Sequence, residues 1–188
     1  MKNSNTIKFI AINALLTLAT GVFAQNSSYH AHTARAASAT PAATYAGEQS
    51  RAIKALSAQE AQDWLDGKGM GLSRAAELNR HPGPMHVLEL AQPLQLKPSQ
   101  REATTQLLTQ HKAHVRQLGA QLVEAERAMD QAFASGNLSA PQLSAMVQRI
   151  GTVQTAIRES HLQTHLAQTA LLSPSQITQY SVLRGYGN

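Results

Sequence analysis

The sequence predicts an all-α fold built on a long antiparallel helical hairpin. An apolar repeat of seven residues, a Gly-Asn break and a second apolar stripe at helical spacing together predict it. The apolar positions are Leu108, Val115, Leu122 and Met129 before the break, and Leu143, Ile150, Val153 and Ile157 after it. No segment alternates convincingly between apolar and polar residues, so we expect no β-strands.

The two long helices have recognisable ends. The first should run from about Pro98 to Ser135, because Gly136-Asn137 is a typical C-terminal cap. The second should begin after Ser139, whose hydroxyl can cap the helix while Gln142 reaches back to it. A loop this short between two helices predicts that they lie antiparallel.

Shorter helices are predicted on both sides of the hairpin. Ser57 and Glu60 fit a capping box, and Pro84 can occupy the first position of a helix. The predicted short helices are Arg51–Leu56, Ser57–Leu65, Leu72–Asn79, Met85–Ala91 and a last one from Ser173 to Gly185. Two helices cannot bury their remaining faces alone, so we expect these helices and a second copy of the chain to cover the hairpin.

The first 24 residues are typical of a signal peptide. Lys2 and Lys8 precede the apolar segment Phe9–Ala19, and Val22-Phe23-Ala24 supplies the small residues of a cleavage site. An uncleaved anchor is the alternative, although the apolar segment is short for a membrane span. No cysteine follows for lipid attachment, so the sequence predicts export and a soluble periplasmic protein.

The segment 25–47 is predicted to be a disordered tether, because it is rich in Ala, Ser and Thr and has no apolar period. His30 and His32 lie in it and could bind a metal only weakly. The helical domain should then occupy residues 48–188.

Composition excludes several functions. Cleavage after Ala24 removes two lysines, so the net charge of +5 falls to a modest +3, and nucleic acid becomes an unfavoured partner. The chain has no cysteine, which excludes disulfides and thiol catalysis. It also lacks a phosphate-binding loop, a G-x-S-x-G nucleophile motif and a suggestive carboxylate pair, so we expect no enzyme activity.

Two helix-opening segments have the same design. Leu96–Gln100 opens the first long helix and Leu172–Gln176 opens the last. They resemble the paired L-T-x-x-Q motifs of the Spy/CpxP family, which includes zinc-resistance-associated proteins and heavy-metal sensors. Lys97 stands where a capping Thr is usual, so Ser99 with Glu102 could cap instead and move the helix start by two residues. The resemblance covers about residues 56–186, including segments 69–72, 82–90, 161–166 and 183–186.

The resemblance implies a hairpin protomer that dimerises into a curved cradle. It also implies ATP-independent protection of unfolding periplasmic proteins, or modulation of an envelope-stress sensor, with no required cofactor. The sequence is compatible with both roles, since a thin helical pair containing Met can offer adaptable apolar patches.

Four histidines are candidate ligands for a divalent transition metal. His161 and His165 are four residues apart and therefore share one side of their helix. His111 and His114 are three residues apart on the first long helix. Imidazole nitrogen suits zinc, copper or nickel and disfavours magnesium and calcium.

The hairpin turn predicts that these histidines meet. A turn centred near Asn137 places all four at one level. The facing pairs are then His111 with Gln163 and His114 with Ser160. Three observations count against a complete metal site. The heptad count points His165 outward, and no carboxylate is obvious at the level of the histidines. His86 could contribute a further ligand only if its short helix folds back onto the hairpin. The alternative is a set of ordinary surface or partly buried histidines that titrate near neutral pH.

Two main functions remain open at this point. One is a periplasmic chaperone-like protein that binds unfolding proteins, and the other is a sensor or buffer for zinc, copper or nickel. A regulator that docks on an envelope-stress sensor is a third interpretation. The chaperone-like protein is the favoured interpretation, because the paired helix-opening motifs follow an export signal, and the metal sensor or buffer is the alternative that the histidines support.

Overall fold

The computed structural model describes residues 43–186, in which helices are joined by turns and loops and no β-strand is present. After a short 3₁₀ turn at Glu48–Ser50, the helices are α1 (Ala58–Leu65), α2 (Arg74–Glu77), α3 (Pro84–Glu89), α4 (Pro98–Ala134), α5 (Ala140–Ala170) and α6 (Pro174–Leu183). The predicted signal peptide and residues 25–42 of the predicted tether lie outside the described residues. The all-α fold with a long central hairpin is confirmed.

Helices α4 and α5 pack against each other along an apolar seam. Its fully buried members are Leu122, Ala125, Ile150, Val153 and Ile157, and Leu118 and Met129 are half-buried beside them. Leu122, Met129, Ile150, Val153 and Ile157 are members of the two predicted apolar stripes. The seam therefore fixes the register of α4 against α5, and with it which side chains of the two helices face each other.

Helix α1 lies directly on α4 at a glycine. A Cβ atom at Gly119 would overlap the backbone carbonyl of Trp64, so only glycine permits this approach. The preceding segment differs from the prediction, because Arg51–Leu56 forms turns closed by an isolated bridge between Ile53 and Leu56. The backbone N–H of Lys54 in this segment donates to Asp130 of α4 over 3.2 Å.

Helix α6 returns the chain to the start of α4. Gln100 and Gln176, which occupy the same position in the two similar motifs, exchange side-chain hydrogen bonds of 2.9 and 3.1 Å. The backbone N–H of Lys97 donates to Gln100 over 3.0 Å, so α4 begins at Pro98 and the alternative start two residues later is not adopted. A second apolar cluster covers this end with Val87, Leu94, Leu172 and Tyr180.

Within residues 43–186, every helix is too short or too polar to serve as a membrane span.

Candidate metal-binding cleft

A cleft of about 910 Å³ lies between the hairpin and the segment 66–86 that crosses it. Its floor includes His111 of α4 and His161 and His165 of α5. The three side chains are held at one level because the apolar seam fixes the register of the two helices. The cleft is the natural place to test the predicted metal site.

His111 and His161 are in direct contact. Nε2 of His111 lies 3.0 Å from Nδ1 of His161, and the two rings meet edge to face with centroids 4.5 Å apart. His111 also contacts the hydroxyls of Ser160 and Thr164, at 3.2 and 3.0 Å. It therefore does not face Gln163 as predicted: that side chain is exposed and bonds to Glu159 on its own helix.

The hydrogen bonds assign a tautomer to each ring. The hydroxyl of Thr164 donates to the carbonyl of Ser160 over 2.8 Å, so it accepts from Nδ1–H of His111. Nε2 of His111 then carries a lone pair and accepts from Nδ1–H of His161. The lone pair left on Nε2 of His161 is buried and has no hydrogen-bond partner among the described residues.

Both rings are neutral at physiological pH. Burial is the largest cause that lowers the pKa of His111 to about 4, and the nearby His161 contributes to the same shift. Burial also lowers the pKa of His161 to about 4, with His165 as the second cause. A neutral imidazole keeps the lone pair that a metal ion needs.

His165 is buried in the same cleft, although the heptad count pointed it outward. Its Nδ1–H donates to the carbonyl of His81 over 2.7 Å, which leaves the lone pair on Nε2. That nitrogen lies against Gly83, where a Cβ atom would be 3.0 Å away. The turn around residue 82 thus covers a histidine that the helix alone would expose.

Glu77 is the carboxylate that lies beside His165 in the cleft, and it was not identified from the sequence. It accepts hydrogen bonds from the hydroxyl of Tyr180 and, at 3.2 Å, from the backbone N–H of Gly83. Arg184 lies 3.6 Å and His165 lies 3.7 Å from its oxygens. Tyr180, Arg184 and His165 are remote from Glu77 in sequence, so no local motif could have identified this residue. Its only signal in the sequence was its position shortly before a Pro-Gly-Pro turn.

The other histidines lie apart from the contact between His111 and His161. His114 is exposed on α4 and does not line the cleft. His86 reaches the cleft wall, where its ring lies 2.8 Å from its own neighbour Glu89. His30 and His32 lie outside the described residues. The structure therefore brings together His111, His161 and His165 of the four predicted ligands, and not His114.

Within residues 43–186, no group of three or more His, Asp or Glu side chains is close enough to hold a metal ion without movement. What the cleft offers is a contacting pair of neutral histidines, a third histidine nearby and an unpaired buried nitrogen.

The chain matches the family described as heavy-metal resistance over residues 69–179. No curated protein and no solved structure matches it. The matched segment contains the cleft histidines, the hairpin and most of α6. It also covers more than half of the chain, so the protein belongs to the heavy-metal resistance family, an all-helical family similar to Spy and CpxP.

Proposed function

We propose that this protein is a periplasmic heavy-metal-binding protein that holds zinc, copper or nickel through His111 and His161. The observation that carries the proposal is their contact of 3.0 Å at the floor of a cleft, with Nε2 of His161 buried and unpaired. Family membership supports the same interpretation. Export by the predicted signal peptide would place the protein where metals first reach the cell.

The residues fit a transition-metal ion. Nitrogens that bind one tetrahedral zinc at 2.0–2.1 Å lie about 3.3 Å apart. Nε2 of His111 and Nδ1 of His161 lie 3.0 Å apart, and both would bind one ion once the proton of His161 moves from Nδ1 to Nε2, the buried nitrogen that has no other partner among the described residues. The depressed pKa of both rings leaves them unprotonated at neutral pH. His165 is the third nitrogen donor we assign, and water or anions would complete the coordination.

Zinc should stabilise the purified protein by mass action, by about 2.7 kcal/mol at a hundred times its dissociation constant. The experiment is a thermal melt with and without zinc, repeated with copper and nickel. His111→Gln and His161→Gln should each remove most of the shift. The double change should add little, because both ligands serve one site.

His114→Gln is the matched control, since His114 is on the same helix, three residues from His111, and exposed. It should keep the full zinc shift, as should a change of His30 or His32. If His114→Gln removes the shift, the ion binds on the outer face of α4. If none of the variants changes it, these histidines are not ligands.

A second candidate function is ATP-independent chaperone activity of the Spy/CpxP type. Phe133 near the end of α4 and Val147 near the start of α5 are 59% and 53% exposed. Unpaired apolar side chains at the end of a helical hairpin can bind unfolding proteins. Metal binding and chaperone activity are compatible, because an ion could set the shape or assembly of the hairpin.

The chaperone proposal predicts less aggregation of an unfolding client protein when the purified chain is added. Phe133→Ser should weaken this protection without changing the melting temperature, because the side chain is exposed. Thr152→Ser, an exposed change elsewhere on α5, should leave it intact. Absence of protection at equimolar protein with several clients would exclude this function.

We also propose that the protein has no enzymatic role and forms a homodimer. In this proposal it transmits the presence of metal or of unfolded protein to an envelope-stress sensor. Size-exclusion chromatography with light scattering, with and without zinc, tests the dimer and any effect of metal on it.

A further inference from the structure

The mouth of the cleft carries more positive charge than its own carboxylates balance. Five cationic side chains line it against two acidic ones. The cations are Lys68, Arg74, Lys112, Arg116 and Arg184, and the acids are Asp66 and Glu77. None of these cations is a proposed metal ligand, and the rings of His111 and His161 in the same cleft are neutral.

The two carboxylates do not neutralise the excess. Glu77 is engaged by Tyr180, by the backbone of Gly83 and by Arg184. Asp66 accepts from the side-chain amide of Gln62, which is neutral. Lys68 pairs with Asp63 outside the cleft lining.

Arg74, Lys112 and Arg116 form no ion pair within the part of the chain that the structure describes. We call these three side chains the cationic rim. Lys112 and Arg116 are four residues apart on α4 and so share one face of it. Arg116 lies against Gly67, and a nitrogen of the Arg74 guanidinium lies beside Gly71, so the crossing segment positions both.

An apolar surface adjoins the cationic rim. Leu78 and Met85 line the cleft although they are 56% and 45% exposed, and Leu108 contributes from α4. Exposed apolar side chains inside a concave site are typical of ligand pockets, and a cleft of about 910 Å³ is large enough for a molecule of moderate size. The lining therefore combines unpaired positive charge with an apolar wall.

We propose that the mouth of this cleft binds an anionic amphiphile, a molecule with a negatively charged head group and a hydrocarbon chain. The head group contacts Lys112 and Arg116, with Arg74 opposite, and the chain lies on Leu78, Met85 and Leu108. A bare metal cation does not suit these side chains because its charge has the same sign. The proposal is independent of metal binding, which uses the histidines of the floor.

The test is calorimetric titration of the metal-free protein with octanoate. Acetate carries the charge without the chain, and octylammonium carries the chain with the opposite charge. Octanoate should bind at least about tenfold more tightly than acetate, since burial of several methylene groups contributes. Octylammonium should not bind measurably.

Variants separate the cationic rim from general surface charge. Lys112→Gln and Arg116→Gln should each weaken octanoate binding about threefold, the effect of one exposed charge contact. The triple variant that includes Arg74→Gln should lose most of it. Arg149→Gln and Arg158→Gln are matched controls, because both side chains are exposed on α5, form no ion pair within residues 43–186 and do not line the cleft.

A vesicle arm distinguishes two sources of the amphiphile. Sedimentation with phosphatidylglycerol vesicles that is lost in the triple variant would support the proposal and assign a membrane lipid. Octanoate binding without sedimentation would support it and assign a free acid. Equal binding of acetate, equal binding of octylammonium, or equal losses in the control variants would each overturn it.

The metal and amphiphile proposals fail separately. His161→Gln should remove the zinc shift and leave octanoate binding unchanged, whereas the triple variant should do the reverse.

Discussion

Glu126 of α4 is only 8% exposed, and its carboxylate oxygen Oε2 is buried with no hydrogen-bond partner among the described residues. Burial raises the pKa of this carboxyl. A buried carboxylate without a partner destabilises the folded state, because desolvation of the charge is not offset by a hydrogen bond. This residue is therefore a position at which a neutral side chain should be better.

Glu126→Gln should raise the free energy of unfolding at pH 7 by about 1 kcal/mol. A raised pKa in the folded state means that the cost of Glu126 is present above the ordinary glutamate pKa and absent well below it. The gain should therefore shrink at pH 4. Urea denaturation at both pH values measures it.

Glu124→Gln is the matched control, since Glu124 is exposed and pairs only with Arg127 on the surface. It should change stability by less than about 1 kcal/mol at either pH. A loss of stability in Glu126→Gln at pH 7 would show that the carboxylate has a favourable partner in solution.

The candidate site was partly predictable at the level of single residues. The proximity of His111 and His161 follows from the position of the hairpin turn and the lengths of α4 and α5. An error of two or three residues in the turn position would still leave the two side chains within reach of each other. The burial of His165 and the role of Glu77 do not follow, because both depend on the segment around Gly83 crossing the hairpin. Helical periodicity carries no information about such a crossing.

At the level of helices, Gly119 and Gly151 are a matched pair of interior glycines with opposite roles. Gly119 of α4 is buried under the carbonyl of Trp64, whereas nothing lies within 4 Å of a Cβ placed at Gly151 of α5. The first is required by packing. The second only costs helix propensity.

Gly119→Ala should destabilise the protein by about 1–3 kcal/mol, because α1 must move off α4 to make room. Gly151→Ala should stabilise it by about 0.5–1 kcal/mol, because alanine favours the helix and meets no neighbour. Chemical denaturation of the two variants measures both. Unchanged or increased stability in Gly119→Ala would contradict the close approach of α1 to α4, and a loss of stability in Gly151→Ala would contradict the open space around Gly151.

The long helices were predicted well and the shortest segment was not. Capping residues and an apolar stripe of many turns define α4 and α5 locally. Arg51–Leu56 has too few residues for its own pattern to decide, and its structure follows from the hydrogen bond of Lys54 to Asp130 across the fold. Tertiary contacts override weak local preference in such segments.

At the level of the whole molecule, the neutral histidine pair couples stability to acidity. His111 and His161 titrate near pH 4 in the folded protein, against an ordinary value of 6.5. Between these values the unfolded chain binds protons that the folded chain does not. The contribution of these two histidines to the free energy of unfolding is therefore complete above about pH 6.5 and decreases as the pH falls towards 4.

The metal-free protein should lose stability on acidification from pH 7 to pH 5, with a slope approaching about 1.4 kcal/mol per pH unit for each histidine that titrates only when unfolded. Because its pKa is raised, Glu126 makes the folded protein more stable on acidification and so partly cancels the effect of the histidines. The slope is therefore best measured in the Glu126→Gln variant. His111→Gln and His161→Gln should each flatten the slope, and His114→Gln should change it much less, because His114 is the smallest cause of the shift at His111. Urea denaturation at pH 7, 6 and 5 measures the slope of the free energy of unfolding against pH. A free energy of unfolding that stays level or rises on acidification would show that His111 and His161 are not buried and neutral in the folded protein.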